Sequence, residues 1–364
     1  MWNHSRSRPA GSVVLHPFAQ QLSKLEWPAE QLSWLQLQRL LGVVPLLVER
    51  GLVTETTWKI AKPLADKYGR VSLEQLLEER RVLAGMNDSG VRCLCLKGVG
   101  LGWGVYPNAD QRLRGDLDLL VPPNELPAAR KCLAGIGYQP ARRTRGGVPS
   151  CQESWVRRKD GLCWMIDLHW KLRNHPALRD RLSFEEQWAD SIAMPKLHEG
   201  ARRQSSVHAM LNASMHWFDV LFPSEHPLIW LLDKDLLWRS MSQDARTSLV
   251  SLAGERQLSG LLSESLRMSQ FVFETPVPDR LITDLEAVGR DQRPTGLIRA
   301  GRNSVSAFFF SLQCEPDLNA RLRRFGASLF PTSEHLMERF PEGSSLGLAG
   351  LHLRRWLRWI RSRE

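Results

Sequence analysis

The stretch Val91–Val121, VRCLCLKGVGLGWGVYPNADQRLRGDLDLLV, decides how the chain is read. It opens on an apolar run ending in Lys97-Gly98, passes through a glycine-rich segment, and closes on Asp116-Leu117-Asp118 at the head of a second apolar run. A strand alternates its side chains between two faces, so Asp116 and Asp118 share one face while Leu117 and Leu119 share the other. Two carboxylates on one face of a buried strand raise each other's pKa, and desolvation adds to this unless a cation lies between them. A divalent metal is the simplest remedy. A strand that merely begins with two solvated aspartates would have the same spacing. What argues for a site is the company: Lys97 closes the preceding strand, Arg112 and Arg114 stand just ahead, and a third acid follows in a later strand.

Beyond Val121 the pattern reads as a helix over about 124–134 and then a further strand near Tyr138. Ser154–Arg158 and Leu162–Trp170 read as two strands joined across Lys159-Asp160-Gly161, a glycine-containing hairpin turn. In the second of these, Leu162, Trp164, Ile166, Leu168 and Trp170 share one face, while Cys163, Met165, Asp167 and His169 share the other. If this strand neighbours the Asp116 strand, three carboxylates meet above the sheet. His169 is expected at the rim of that meeting point.

The segments Leu96-Lys97-Gly98 and Tyr106-Pro107, with Arg112 four residues ahead of Asp116-Leu117-Asp118-Leu119-Leu120-Val121, resemble the signature of an uncharacterised bacterial nucleotidyltransferase family of the DNA polymerase β superfamily. Ile166-Asp167-Leu168-His169-Trp170 is similar to that family's third-acid strand, and a weaker likeness extends from the N-terminal helices through Leu329-Phe330-Pro331. The resemblance implies an α+β fold, with a small mixed sheet flanked by N-terminal helices and a C-terminal helical domain. It implies two Mg²⁺ ions at Asp116, Asp118 and Asp167, and a nucleoside triphosphate, ATP foremost, held by Lys97, Gly98 and Arg112. Arg114 is a weaker candidate. The implied reaction moves a nucleoside monophosphate onto an acceptor hydroxyl of RNA, protein or a small molecule. Gly98-Val99 stands where much of the superfamily has Gly-Ser, which leaves the phosphate contacts to backbone amides and Lys97.

The glycine-rich segment itself fits neither GxGxxG, since position 103 is Trp, nor a Walker loop, since Lys97 precedes the glycines. It reads as a strand-to-helix turn whose small residues admit phosphate to a helix N-terminus. Residues 28–90 read as helices, with Pro45 as a break and a second helix beginning at a Ser72 cap. From about residue 171 the strands are expected to stop. The following segments carry Trp, Leu and Met at helical spacings, and Asp233 and Asp235 read either as contacts to an acceptor or, preferred, as polar-face residues of a helix. The resulting division is 1–90 helical, 91–190 catalytic core and 191–364 helical.

Length and composition agree with a globular protein: 364 residues, 43% hydrophobic and 24% charged. No apolar run approaches the length that spans a bilayer, and the N-terminal stretch lacks the apolar core of a signal peptide, so a cytoplasmic location is expected. The six cysteines form no CxxC pair and read as buried, reduced thiols. A formal charge of +10 suits an anionic partner. The last residues, LHLRRWLRWIRSRE, place Leu353, Trp356, Leu357 and Ile360 on one helical stripe between arginines. That segment reads as a packed terminal helix, a nucleic-acid contact or a membrane-surface helix. Two alternatives to an enzyme stay open at this point: a binding protein that keeps the fold without catalysis, and a basic nucleic-acid-binding protein.

Overall fold

A computed structural model describes residues 35–36, 38–141, 150–219, 227–300, 304–339, 347 and 350–352. The N-terminal stretch, most of the basic segment after Ala141, and the terminal amphipathic stretch from 353 lie outside the described residues.

The strands are β1 Leu94–Cys95, β2 Leu117–Leu120, β3 Gln139–Pro140, β4 Gln152–Lys159, β5 Leu162–His169, β6 Ile192–Ala193 and β7 Arg202–Arg203. They form one mixed sheet in the order β3-β4-β5-β2-β1-β7-β6. Helices before and after this sheet complete an α+β fold. The hairpin of β4 and β5 closes on Asp160 and Gly161, whose φ angles of 52° and 77° give the two left-handed residues that a primed two-residue turn requires. β2 lies parallel to β5, with Asp118 opposite Asp167 and Leu120 opposite His169.

Alternation along β2 sorts the two sides of the sheet. Leu117 and Leu119 join Ile166 and Leu168 in a buried cluster with Val82, Leu83 and Met86 of the long helix Glu55–Asp88 and with Leu133 of the helix Leu126–Gly135. Leu120 and Leu94 join the other cluster, built from the C-terminal helices Ser206–Asp219, Ile229–Ser240 and Ser259–Phe273. The face that carries Asp118 is therefore the one roofed by the C-terminal helices. Each buried leucine contributes roughly 1.5–3 kcal/mol of transfer free energy, and a one-residue slip of β2 would expose the whole set.

Three expectations are corrected. Ser72 does not start a helix: a single 34-residue helix runs from Glu55 to Asp88, capped by the Thr54 hydroxyl on the Thr57 N–H and passing through Pro63. Its C-terminal half is tied down by tertiary ion pairs, Glu79 to Arg114 and Glu78 to Arg157, which outweigh one local capping preference. Pro45 sits in the first turn of the short helix Val44–Glu49, where a missing N–H costs nothing, so it begins a helix instead of breaking one. Strands do not stop at 171, because β6 and β7 extend the sheet, β7 parallel to β1. Two-residue strands are too short to show an alternation that sequence could reveal.

No disulfide joins the cysteines; Cys163 is exposed and the other five are buried. No described helix is long and apolar enough to cross a membrane.

The glycines of the helix Lys97–Val105 have a packing role. A Cβ on Gly100 would stand 2.5 Å from the Cys95 carbonyl oxygen, and one on Gly102 would stand 2.9 Å from that of Ala109. Backbone cannot yield as a flexible side chain does. Gly100→Ala is expected to destabilise the protein by about 1–3 kcal/mol, read as a lower urea midpoint at unchanged m-value.

Candidate active site

Two of the three acids predicted from the sequence, Asp118 and Asp167, come together on β2 and β5. Asp118 and Asp167 are paired across the parallel strands, and donor atoms of Asp118, Asp167 and His169 all lie within 4.8 Å of one another. Asp116 stands immediately before β2, two positions ahead of Asp118, and is half-buried. Asp118 is buried and is reached by Lys97 Nζ at 2.5 Å and by His169 Nε2 at 3.0 Å. Asp167 accepts from Ser154 Oγ at 2.6 Å and from Gln152 Nε2 at 3.2 Å, both on β4. His169 is not a rim residue: it is 1% exposed and bonded to Asp118.

Electrostatics split the two aspartates. Burial, then the neighbouring Asp118 charge, pushes the Asp116 carboxyl up to about 6, against opposing pulls from Lys97 and Arg39. Burial would raise Asp118 too, but Lys97 beside it and the His169 hydrogen bond hold it well below the usual carboxylate range. Burial also lowers His169, so its ring is neutral. Ionised Asp118 can only accept, which puts the ring proton on Nε2 and leaves Nδ1 buried without a partner.

Crowded carboxylates of this kind are a donor set for a hard divalent cation, which would relieve the repulsion that raises Asp116. Of the residues brought together, Asp118 and Asp167 fit such an ion. His169 already donates to Asp118, so it acts by orienting that carboxylate, as partners of metal ligands do.

Asp116 carries a testable cost. Its folded pKa lies above the unfolded value of 3.8, so the native state holds more protons between about pH 4 and 6 and loses stability as pH rises through that window. In metal-free protein at pH 7–8, Asp116→Asn is expected to raise stability by about 1–3 kcal/mol and to flatten the pH dependence between 4 and 6, as measured by urea melts.

The predicted cations are placed as follows. Lys97 begins the helix Lys97–Val105 with a positive φ of 42° and bridges to Asp118. Gly98 follows it, buried against the Arg114 side chain. Arg112 is 4% exposed, and its Nε and one terminal nitrogen both bond Asp233, at 2.7 and 2.8 Å. Tyr106 adds a third bond to Asp233 at 2.6 Å. Arg114 is held in the same two-pronged way by Glu79. Asp233 and Asp235 are therefore not polar-face residues. Both are buried, and Asp235 receives Arg50, Arg239 and Thr275.

Lys97, Gly98, Arg112, Asp116 and Asp118 line a cleft whose opposite wall comes from the C-terminal helices through Asn212, His216, Trp230 and Asp233. His216 meets the Trp230 ring edge-on at 4.2 Å. Arg39 lines the same cleft from the N-terminal side. The sequence reading missed Arg39, Asn212 and His216. None belongs to a local motif, and each is brought in by a helix or turn that is remote in sequence.

Paired acids on neighbouring strands thus lie beside a cleft that also carries basic side chains. Residues 30–274 match the model of an uncharacterised nucleotidyltransferase family, and the chain belongs to that family. The match ends short of the Leu329–Pro331 segment. No curated protein and no solved structure matches the chain.

Proposed function

We propose that the chain is a Mg²⁺-dependent nucleotidyltransferase of the polymerase β type, working in the cytoplasm. It moves a nucleoside monophosphate from a nucleoside triphosphate, ATP foremost, to an acceptor hydroxyl and releases pyrophosphate. The observation that carries this reading is the register of β2 and β5, which sets Asp118 beside Asp167 at the edge of a basic cleft. Asp116, Asp118 and Asp167 would hold two Mg²⁺ ions, which when bound neutralise the triphosphate and acidify the acceptor hydroxyl.

The chain's own residues do the rest. Lys97 fixes Asp118 in its ionised form and lies at the cleft, where it meets phosphate oxygens. Asp167, oriented by Ser154 and Gln152, receives the proton of the acceptor hydroxyl. The acceptor oxygen forms its bond to the α-phosphorus, the bond from that phosphorus to the bridging oxygen breaks, and its electron pair leaves with pyrophosphate. Arg112, held by Asp233, gives the cleft a fixed wall of hydrogen-bonding groups.

The test is incubation with each α-³²P-labelled nucleoside triphosphate and Mg²⁺, with and without bulk RNA and cell extract, in the presence or absence of EDTA. Metal-dependent transfer of label to an acceptor is expected, and the labelled species names the acceptor class. Nucleotide binding with no transfer under any condition would sink the catalytic reading and favour a silent binding protein.

A further inference from the structure

Each cation on the cleft wall can be asked whether an internal acid already neutralises it. Lys97 is paired with Asp118, Arg112 with Asp233 and Arg114 with Glu79. Arg39 lines the same cleft, is exposed, and has no acidic partner within ion-pair distance among the described residues. Its charge is felt at Asp116 across the cleft. A solvated surface arginine is ordinary, but this one is held in an unusual way.

The Arg39 backbone has a φ of 57°. The Arg39 N–H bonds the Gln36 carbonyl at 2.9 Å, and the Leu40 N–H bonds the Leu35 carbonyl at 2.8 Å. That pattern ends a helical turn with a left-handed residue, a position at which glycine is strongly favoured and any other side chain is strained. Its neighbours lock it there. The Gln38 side chain accepts from the Leu228 N–H at 2.9 Å, fixing the turn to the start of the helix Ile229–Ser240, and Leu40 is fully buried. Gly42 presses so closely on the Gln111 carbonyl that a Cβ there would stand 2.4 Å away. Five described non-glycine residues have positive φ, and two of them, Arg39 and Lys97, are basic residues that line this one cleft.

We infer that Arg39 is a polyphosphate-binding residue, held by the turn between Gln38 and Gly42 so that its unneutralised guanidinium meets the non-transferred phosphates of the nucleotide. The inference rests on the transferase reading for the identity of the ligand. Its chemistry requires only a multiply charged phosphate chain. Planar guanidinium matches phosphate oxygens two at a time, and a hydrogen-bonded backbone turn leaves only the side chain to be ordered on binding.

The experiment uses the full chain with Mg²⁺ and compares parent, Arg39→Gly and Arg39→Gln for binding of ATP, inorganic tripolyphosphate and adenosine, alongside the labelled-nucleotide assay. Glycine suits the left-handed backbone, so Arg39→Gly is expected to melt no lower than the parent. Its affinity for ATP and tripolyphosphate should fall about ten- to a hundredfold, with adenosine unaffected. If Arg39→Gly melts lower, Arg39→Gln makes the comparison. Undiminished tripolyphosphate binding in both variants would overturn the inference, and if label is still transferred the transferase reading survives alone. Loss of tripolyphosphate binding with no label transferred by the parent would uphold Arg39 and overturn the transferase. A parent that binds no phosphate chain would overturn both.

Discussion

Asp118→Asn is expected to lower nucleotidyl transfer by about a thousandfold or more, measured as label transferred per minute at saturating nucleotide and Mg²⁺. The side chain keeps its shape but loses the charge that a divalent ion needs, and stabilisation of this kind supplies several kcal/mol of the barrier reduction. Asp118 is also the residue on which Lys97 and His169 converge. Its folded pKa is depressed below the unfolded 3.8, so it contributes stability above that value and loses it only as pH falls through the low folded pKa. Asp118→Asn should therefore destabilise the metal-free protein at pH 7 by about 1–3 kcal/mol. Asp116→Asn should stop transfer too, yet stabilise. The opposite signs at two aspartates two positions apart separate a catalytic loss from unfolding. Transfer by Asp118→Asn at the parent rate would remove Asp118 from the mechanism.

The second large effect concerns stability. Asp233→Ala removes the only acid paired with Arg112 among the described residues and strips Tyr106 of its hydrogen-bond acceptor, both in a site with almost no solvent. Breaking one side of a buried pair leaves an uncompensated charge, at a cost of about 3–5 kcal/mol. A urea melt should show that loss, whereas Tyr106→Phe should cost only about 1 kcal/mol. If the pair is the cause, replacing both partners with apolar residues, Arg112→Met with Asp233→Leu, should recover much of the loss. A double variant as unstable as Asp233→Ala would place the defect elsewhere in the cleft wall.

Much of the site was legible because it obeys local rules. The alternation of Asp116 to Leu119 and of Leu162 to Trp170 has a period of two, and a period can be read without knowing the partner strand. The hairpin announced itself through Asp160-Gly161. His169 was misplaced because alternation gives the face of a residue and not its depth. Its hydrogen bond to Asp118 depends on β2 and β5 being neighbours in this register. Asp233 and Asp235 looked like a polar stripe because a helix can bury acids only when partners come to meet them, and most of theirs, the cations Arg112 and Arg50 and the Tyr106 hydroxyl, come from far away in sequence. β6 and β7 were invisible for want of length. Arg39 gave no signal at all, since a left-handed arginine is defined by the turn around it and not by its own spacing.

The bond from Leu228 to Gln38 also sets an order in which parts of the cleft can form during synthesis. Every acid of the site has been made once residue 167 is joined, but the turn that aims Arg39 and the acid that seats Arg112 both wait for the helix Ile229–Ser240. At roughly 5–20 residues per second, several seconds separate the two events on the ribosome. A nascent chain thus carries its carboxylates well before it has the opposite wall of the cleft.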